Sequence, residues 1–157
     1  MLKWGVPVPI TNSMEILLIE DSVEDARLTL RALKKAGMTK VVEVIRNGAD
    51  ALDFLFCQGA YAQRCPQDRP TLILLDLKLP KVTGLNVLEK VKSDPRTASI
   101  PVVMLTSSQE PADVAESYRL GVNSYIVKPV DFDGFLAAME LLAKYWLQLN
   151  HPPELRG

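Results

Sequence analysis

The chain has 157 residues, 48% of them hydrophobic and 24% charged, with a formal net charge of −1. This length suits one domain with a real core. Nucleic acid binding needs clustered Lys and Arg, so a nearly neutral chain is not expected to bind it. No apolar run approaches the roughly 20 residues that cross a membrane, and the first dozen residues lack the apolar centre of a signal peptide. We therefore expect a cytoplasmic protein that does not enter a membrane.

Segments typical of strands and helices alternate five times after an N-terminal arm, 1–13. The predicted strands are 14–20, 40–46, 71–76, 100–106 and 123–128, and the predicted helices are 23–36, 47–57, 84–93, 110–119 and 131–149. Such alternation favours parallel strands with right-handed crossovers and helices on both faces of the sheet. We expect one domain over 14–149 and a short tail, 150–157.

Helix boundaries carry recognisable end signals. Three residues with side-chain acceptors stand where helices are expected to begin, and two glycines stand where helices are expected to end. These are Ser22, Asn47 and Asp131 at the starts, and Gly37 and Gly121 at the ends.

A polar loop, 58–70, separates the second predicted helix from the third predicted strand, and both cysteines fall in or beside it. One pair of cysteines without a nearby histidine is a weak metal signal. We expect Cys57 and Cys65 to be reduced thiols; a loop disulfide or a metal site is the alternative.

Three carboxylates follow two apolar runs. Asp76 follows Thr71–Leu75, and Glu20 and Asp21 follow Ile16–Ile19. Continuous apolar runs indicate buried parallel strands, and their carboxyl ends form the edge at which open α/β sheets bind ligands. Carboxylates brought together repel one another unless a cation or protons neutralise them. The pattern predicts a Mg²⁺ site, because oxygen ligands suit this ion, and Asp76 is the candidate nucleophile.

Two further strand ends supply groups that can stabilise a phosphoryl group. Thr106 ends the fourth predicted strand with a hydroxyl, and Lys128 ends the fifth with an ammonium. Phosphoryl transfer needs donors and positive charge around the equatorial oxygens. Each residue alone is a weak signal, but their shared placement at strand ends is much stronger.

Four motifs, ILLIED, LILLDLKLP, VVMLTSS and SYIVKP, together resemble the receiver domain of bacterial two-component response regulators, the CheY-like family. The resemblance extends over about 14–149 in the expected order. It implies a flavodoxin-like fold, a five-stranded parallel doubly wound sheet of order 2-1-3-4-5 with five helices in a three-layer sandwich.

The resemblance implies roles for the metal ligands. Glu20, Asp21 and Asp76 match the acids that bind Mg²⁺, and the main-chain carbonyl of Lys78 matches the remaining protein ligand. Glu20 replaces the more usual aspartate and is one methylene longer, so its contact with the metal is open to a bridging water. The side chain of Lys78 stands where a small or neutral residue is frequent.

The resemblance also implies a phosphorylation switch. Asp76 matches the phosphoacceptor, Thr106 and Lys128 match the groups that contact the phosphoryl oxygens, and Tyr125 matches the aromatic that turns inward on activation. The bond between Lys128 and Pro129 is expected to be cis, as in the family.

The resulting hypothesis is a single-domain response regulator rather than an enzyme, catalysing only its own phosphorylation and dephosphorylation. Its expected partner is a sensor histidine kinase, with a bacterial phytochrome as one candidate, since the loop 58–70 and the aromatic C-terminal region resemble the regulators paired with such kinases. A homodimer is also expected. The main alternative is a pseudo-receiver that acts without phosphorylation. A phosphohydrolase would want an acid where Lys78 stands, and a flavodoxin-like cofactor binder would want a phosphate-binding loop where Glu20 and Asp21 stand.

Overall fold

The computed structural model describes residues 14–38 and 42–153. The predicted N-terminal arm, 1–13, and the last four residues of the predicted tail lie outside this part of the chain.

The described chain contains one parallel sheet of five strands in the order β2-β1-β3-β4-β5. All neighbouring strands are parallel. This confirms the predicted order and the doubly wound topology. The strands are β1 Ile16–Ile19, β2 Val42–Ile45, β3 Leu72–Leu75, β4 Val102–Thr106 and β5 Ser124–Val127.

Five α-helices cover the two faces of the sheet, with α1 against α5 on one face and α2, α3 and α4 in sequence on the other. The three-layer sandwich is thereby confirmed. Within 14–38 and 42–153, no helix combines the length and the apolar character that a membrane span requires. The helices are α1 Val23–Lys35, α2 Gly48–Leu55, α3 Gly84–Ser93, α4 Pro111–Arg119 and α5 Phe132–Ala143, with a short 3-10 helix at Gly59–Tyr61.

The last predicted helix, 131–149, is confirmed in extent but contains two types of helix. The α-helix ends at Ala143, and a π-helical segment, Lys144–Leu149, continues it. At its end the Asn150 N–H donates to the Tyr145 carbonyl at 2.6 Å, five residues back rather than four. Apolar periodicity cannot detect this change because it reports which residues face the core, not which carbonyl each amide contacts.

The core consists of two layers, one on each side of the sheet. Alternate residues of β1 pack into different layers. Leu17 and Ile19 face α2 and α3, whereas Ile16 and Leu18 face α1 and α5. All four side chains are at most 2% exposed. A strand covered on both faces needs apolar residues at every position, which explains why β1 is an unbroken apolar run.

The predicted helix ends are confirmed. The side chains of Ser22, Asn47 and Asp131 each accept a hydrogen bond from a backbone N–H in the first turn of the helix that follows. Gly37 and Gly121 have φ of +89° and +98°, a region in which glycine pays no Cβ penalty.

The loop 58–70 is anchored by one arginine. The Arg64 guanidinium lies 3.6 Å from the centroid of the Phe54 ring and donates to the Phe54 carbonyl. Cys57 and Cys65 are free thiols, the first half-buried and the second exposed.

Candidate functional site

Four strands deliver side chains to one edge of the sheet, as predicted. Residues just past the strand ends continue the ladder: the Asp76 N–H donates to the Ile19 carbonyl at 3.0 Å, and the Lys128 N–H donates to the Thr106 carbonyl at 2.8 Å. Glu20 follows β1 directly. The backbone of each residue is therefore fixed by a neighbouring strand, so its side chain starts from a defined point.

The three predicted acidic ligands lie together. Glu20, Asp21 and Asp76 can each place one carboxylate oxygen within 4.8 Å of the other two. Glu20 and Asp76 are 1% and 8% exposed, whereas Asp21 lies open to solvent. Converging carboxylate oxygens of this kind suit a hard divalent cation. The Lys78 N–H donates to Asp76 Oδ1 at 3.3 Å, which places the Lys78 backbone beside the same cluster.

Lys128 joins the cluster as its counter-ion. Its Nζ donates to Glu20 Oε1 at 2.5 Å, to Asp25 Oδ2 at 2.9 Å and to Asp76 Oδ2 at 3.3 Å. An ammonium carries three donors, so each one meets a different carboxylate. Asp25 is the participant that sequence reasoning missed. Its signal was an acid in the first turn of α1, where acids are also common for reasons of helix stability.

Burial and crowding of like charges shift the ionisation of this cluster. Burial raises the pKa of Glu20 to about 7, and the adjacent Asp76 contributes, while Lys128 acts in the opposite direction. Burial by itself would lower the pKa of Lys128, but its hydrogen bonds to Glu20 and Asp25 and the nearby charge of Asp76 outweigh burial and raise it. Lys128 is therefore protonated, and the carboxylates around it outnumber its single positive charge.

Thr106 and Tyr125, predicted as hydroxyl donor and switch, are joined through one loop residue. The Ser108 N–H donates to Thr106 Oγ1 at 3.3 Å, and the Tyr125 hydroxyl donates to the Ser108 carbonyl at 2.9 Å. Ser108 Oγ in turn donates to Asp113 Oδ2 at 2.5 Å. Thr106 is fully buried. A movement of the Thr106 hydroxyl would therefore disturb the loop that holds the Tyr125 ring in place.

The expected cis bond between Lys128 and Pro129 is wrong. No peptide bond in the described chain is cis. The trans form of a bond before proline is the more stable by about 0.5–1 kcal/mol unless its surroundings select the cis form.

Comparison with known proteins gives a consistent result. Residues 16–140 match the family model of the response regulator receiver domain. Response regulator Rcp1 of Synechocystis sp. is 40% identical over 133 residues, which cover 85% of this chain and 88% of that protein. The crystal structure of its Mn²⁺-bound form has a TM-score of 0.82 at 38% identity and covers 90% of this chain and 99% of that one.

Two further solved structures are similar. The phosphorylated cyanobacterial phytochrome response regulator RcpA has a TM-score of 0.83 at 38% identity, covering 90% of this chain and 99% of that one. The bacteriophytochrome response regulator RtBRR has a TM-score of 0.72 at 52% identity, covering 90% of this chain and 85% of that one.

Proposed function

Because this chain belongs to the response regulator receiver domain family, we propose that it accepts a phosphoryl group on Asp76 from a sensor histidine kinase and thereby changes its contacts with other proteins. It is a signalling module rather than an enzyme that turns over a separate substrate. The observation that carries the proposal is the convergence of a buried Asp76, two further acids and the Lys128 ammonium at one sheet edge.

Asp76 is better suited to attack phosphorus than its neighbour Glu20. Both oxygens of Glu20 are engaged, Oε1 by Lys128 at 2.5 Å and Oε2 by the Ser22 N–H at 3.4 Å. The hydrogen bonds to Asp76, from the Lys78 N–H and from Lys128, are both long at 3.3 Å. Lys128 therefore holds Glu20 Oε1 more closely than Asp76 Oδ2, so the Asp76 oxygen is the easier of these two to free from the ammonium.

We assign the metal ligands to Glu20, Asp21, Asp76 and the main-chain carbonyl of Lys78, and we propose Mg²⁺ as the ion. The clustered oxygens and the Mn²⁺-bound form of Rcp1 support a divalent ion. When bound, Mg²⁺ would offset the repulsion between Asp76 and an anionic phosphoryl group.

In the proposed transfer, an Asp76 carboxylate oxygen forms a bond to phosphorus while the P–N bond of the kinase phosphohistidine breaks. The imidazole keeps the electron pair and takes up a proton. Lys128 then donates to one phosphoryl oxygen and the Thr106 hydroxyl to another. The new group adds roughly −1.5 to −2 charge, and movement of Thr106 frees Tyr125 to turn inward. The outcome is a shift between two conformations.

The names of RcpA and RtBRR support a phytochrome-type kinase as the partner, and we infer that the protein acts in the cytoplasm, where such a kinase would transfer its phosphoryl group. A homodimer through α4, β5 and α5 is proposed as well. Tyr118 on α4 and Leu141 on α5 are 52% and 71% exposed, which leaves apolar surface on these helices for a protein contact.

The test is intact mass measurement after incubation with acetyl phosphate and Mg²⁺. The wild-type protein should gain one phosphoryl group, and the gain should be absent with EDTA and absent in Asp76→Asn. A wild-type protein that stays unmodified, under conditions that label a known receiver domain, would instead support the pseudo-receiver alternative. Labelling of Asp76→Asn at the wild-type level would show that another residue is the acceptor.

A further inference from the structure

We propose that Asp25 is a positioning residue that holds the Lys128 ammonium in the unphosphorylated protein and competes with the phosphoryl group for it. The inference rests on the proposed phosphorylation of Asp76 and adds a control on its rate. The proposal rests on the 2.9 Å hydrogen bond from Lys128 Nζ to Asp25 Oδ2.

All three donors of the Lys128 ammonium are engaged. Lys128 has three N–H groups, and Glu20, Asp25 and Asp76 each accept one of them. To donate to a phosphoryl oxygen, Lys128 must give up at least one of these contacts. The contact that it gives up decides the barrier to binding the incoming group.

The three carboxylates that accept from Lys128 differ in their exposure to solvent. The side chains of Glu20 and Asp76 are 2% and 11% exposed, whereas that of Asp25 is 43% exposed. A buried carboxylate that loses its partner pays a large desolvation penalty, whereas a half-exposed carboxylate regains water. Asp25 is therefore the acceptor that Lys128 releases at least cost.

The backbone of Asp25 is held in place by two hydrogen bonds. Its N–H donates to Ser22 Oγ at 3.2 Å, and its carbonyl accepts the Thr29 hydroxyl at 2.9 Å. Asp25 and Lys128 also line a cavity of about 140 Å³ between α1 and the start of α5. The carboxylate is thus fixed beside the ammonium at a place that water can reach.

The expected effect follows from the competition. Replacing Asp25 by asparagine removes the charge that draws Lys128 outward, so the ammonium turns more readily to the phosphoryl group. With acetyl phosphate as donor, an Asp76 oxygen forms the O–P bond, the P–O bond to acetate breaks, and acetate leaves with the electron pair. We expect the Asp25→Asn protein to be phosphorylated about two- to fivefold faster, the upper part of the range of a partly exposed ion pair.

Two variants separate positioning from a general charge effect. Glu24→Gln removes the same charge from the same helical turn, at an exposed residue, and should change the rate by less than about twofold. Asp25→Glu keeps the carboxylate and should restore a rate near that of the wild type. Affinity for beryllofluoride, a non-covalent phosphoryl mimic followed by ¹⁹F NMR, should rise in Asp25→Asn by a similar factor and stay unchanged in Glu24→Gln.

A last measurement does not depend on phosphorylation. In ¹H–¹⁵N spectra of the lysine ammonium groups, the Lys128 signal should shift in Asp25→Asn and stay in place in Glu24→Gln. If that shift is present and no variant is phosphorylated, the proposed function fails while the contact stands, and the regulatory role falls with it. An Asp25→Asn protein that is phosphorylated at the wild-type rate, or more slowly, would overturn the proposal directly.

Discussion

Gly84, the first residue of α3, lies against the backbone that carries Asp76. A Cβ added at Gly84 would lie 2.2 Å from the Asp76 carbonyl oxygen and 2.7 Å from Leu77 Cα. The Gly84 N–H also donates to the Leu77 carbonyl at 3.0 Å. Since the obstructing atoms are backbone, no side-chain rotation can relieve the clash. We therefore predict that Gly84→Ala displaces the turn that follows β3.

The size of the displacement sets the cost. A carbon–oxygen contact needs a little over 3 Å, so the backbone must move by about 1 Å. Overpacking of this kind costs about 1–3 kcal/mol, and loss of the Gly84–Leu77 hydrogen bond costs about 1 kcal/mol more. Alanine regains at most about 1 kcal/mol of helix propensity. The expected loss of unfolding free energy is about 1–3 kcal/mol, which lowers the urea midpoint by about 0.5–1.5 M.

Two assays follow, urea unfolding and the rate of phosphorylation by acetyl phosphate per folded molecule. The rate should fall at least tenfold, because an error of about 1 Å in the position of a reacting group is costly. The comparison variant is Gly134→Ala in the first turn of α5, where the nearest obstacle is a side chain, the Asp131 carboxylate at 2.9 Å. Displacing this carboxylate weakens the cap that accepts from the Gly134 N–H, so the stability should fall by about 0.5–1 kcal/mol, and the phosphorylation rate should be unchanged. A Gly84→Ala protein that matches the wild type in both assays would refute the reasoning.

Three further predictions concern other parts of the molecule. Burial lowers the pKa of Lys92 to about 8, below the value of about 10.4 for an unfolded chain. Between these two pH values the unfolded state binds more protons than the folded state, so the stability of the wild type in urea should rise with pH over that range. A Lys92→Met protein should lack this rise. Tyr125→Phe removes the hydroxyl donated to Ser108, so we expect a loss of about 0.5–1.5 kcal/mol and faster amide hydrogen exchange between β4 and α4; unchanged exchange would contradict this role. Arg64→Lys keeps the charge but removes the planar group over Phe54, so the loop after α2 should be cleaved faster by chymotrypsin after Tyr61 at low enzyme ratios. Equal rates of cleavage after Tyr61 in the two proteins would argue against an anchoring role.

The sheet was predictable because burial on both faces imposes an unmistakable pattern. Ile16–Ile19 and Leu72–Leu75 are apolar at every position, and parallel strands bring their carboxyl ends to one edge. Placement of Asp76 beside Glu20 follows from the backbone alone, so it required no knowledge of side-chain packing.

Other features depended on side-chain geometry that a linear pattern does not contain. From the sequence, Asp25 is indistinguishable from any acid in a first helical turn, because its contact with Lys128 depends on where the lysine side chain lies. Ser108 reads as an ordinary loop residue, although it connects Thr106 with Tyr125. The π-helical segment Lys144–Leu149 keeps a sequence compatible with an α-helix, so its altered hydrogen bonding had no signal.

The charge balance of the site explains why its resting state is poised for a reaction. Lys128 is hydrogen-bonded to three carboxylates at once, and Asp21 lies beside two of them, so the negative charge exceeds the positive. One ammonium cannot neutralise this set, and burial raises the pKa of Glu20 to about 7 because its charged form is costly there. A bound divalent cation would offset this excess of negative charge, and in the proposed mechanism an incoming phosphoryl group would then compete with the acids for the Lys128 ammonium. Asp25 is the most exposed of the three acids that accept from Lys128. We therefore expect a substitution there to change the rate of phosphorylation while the buried part of the site stays intact.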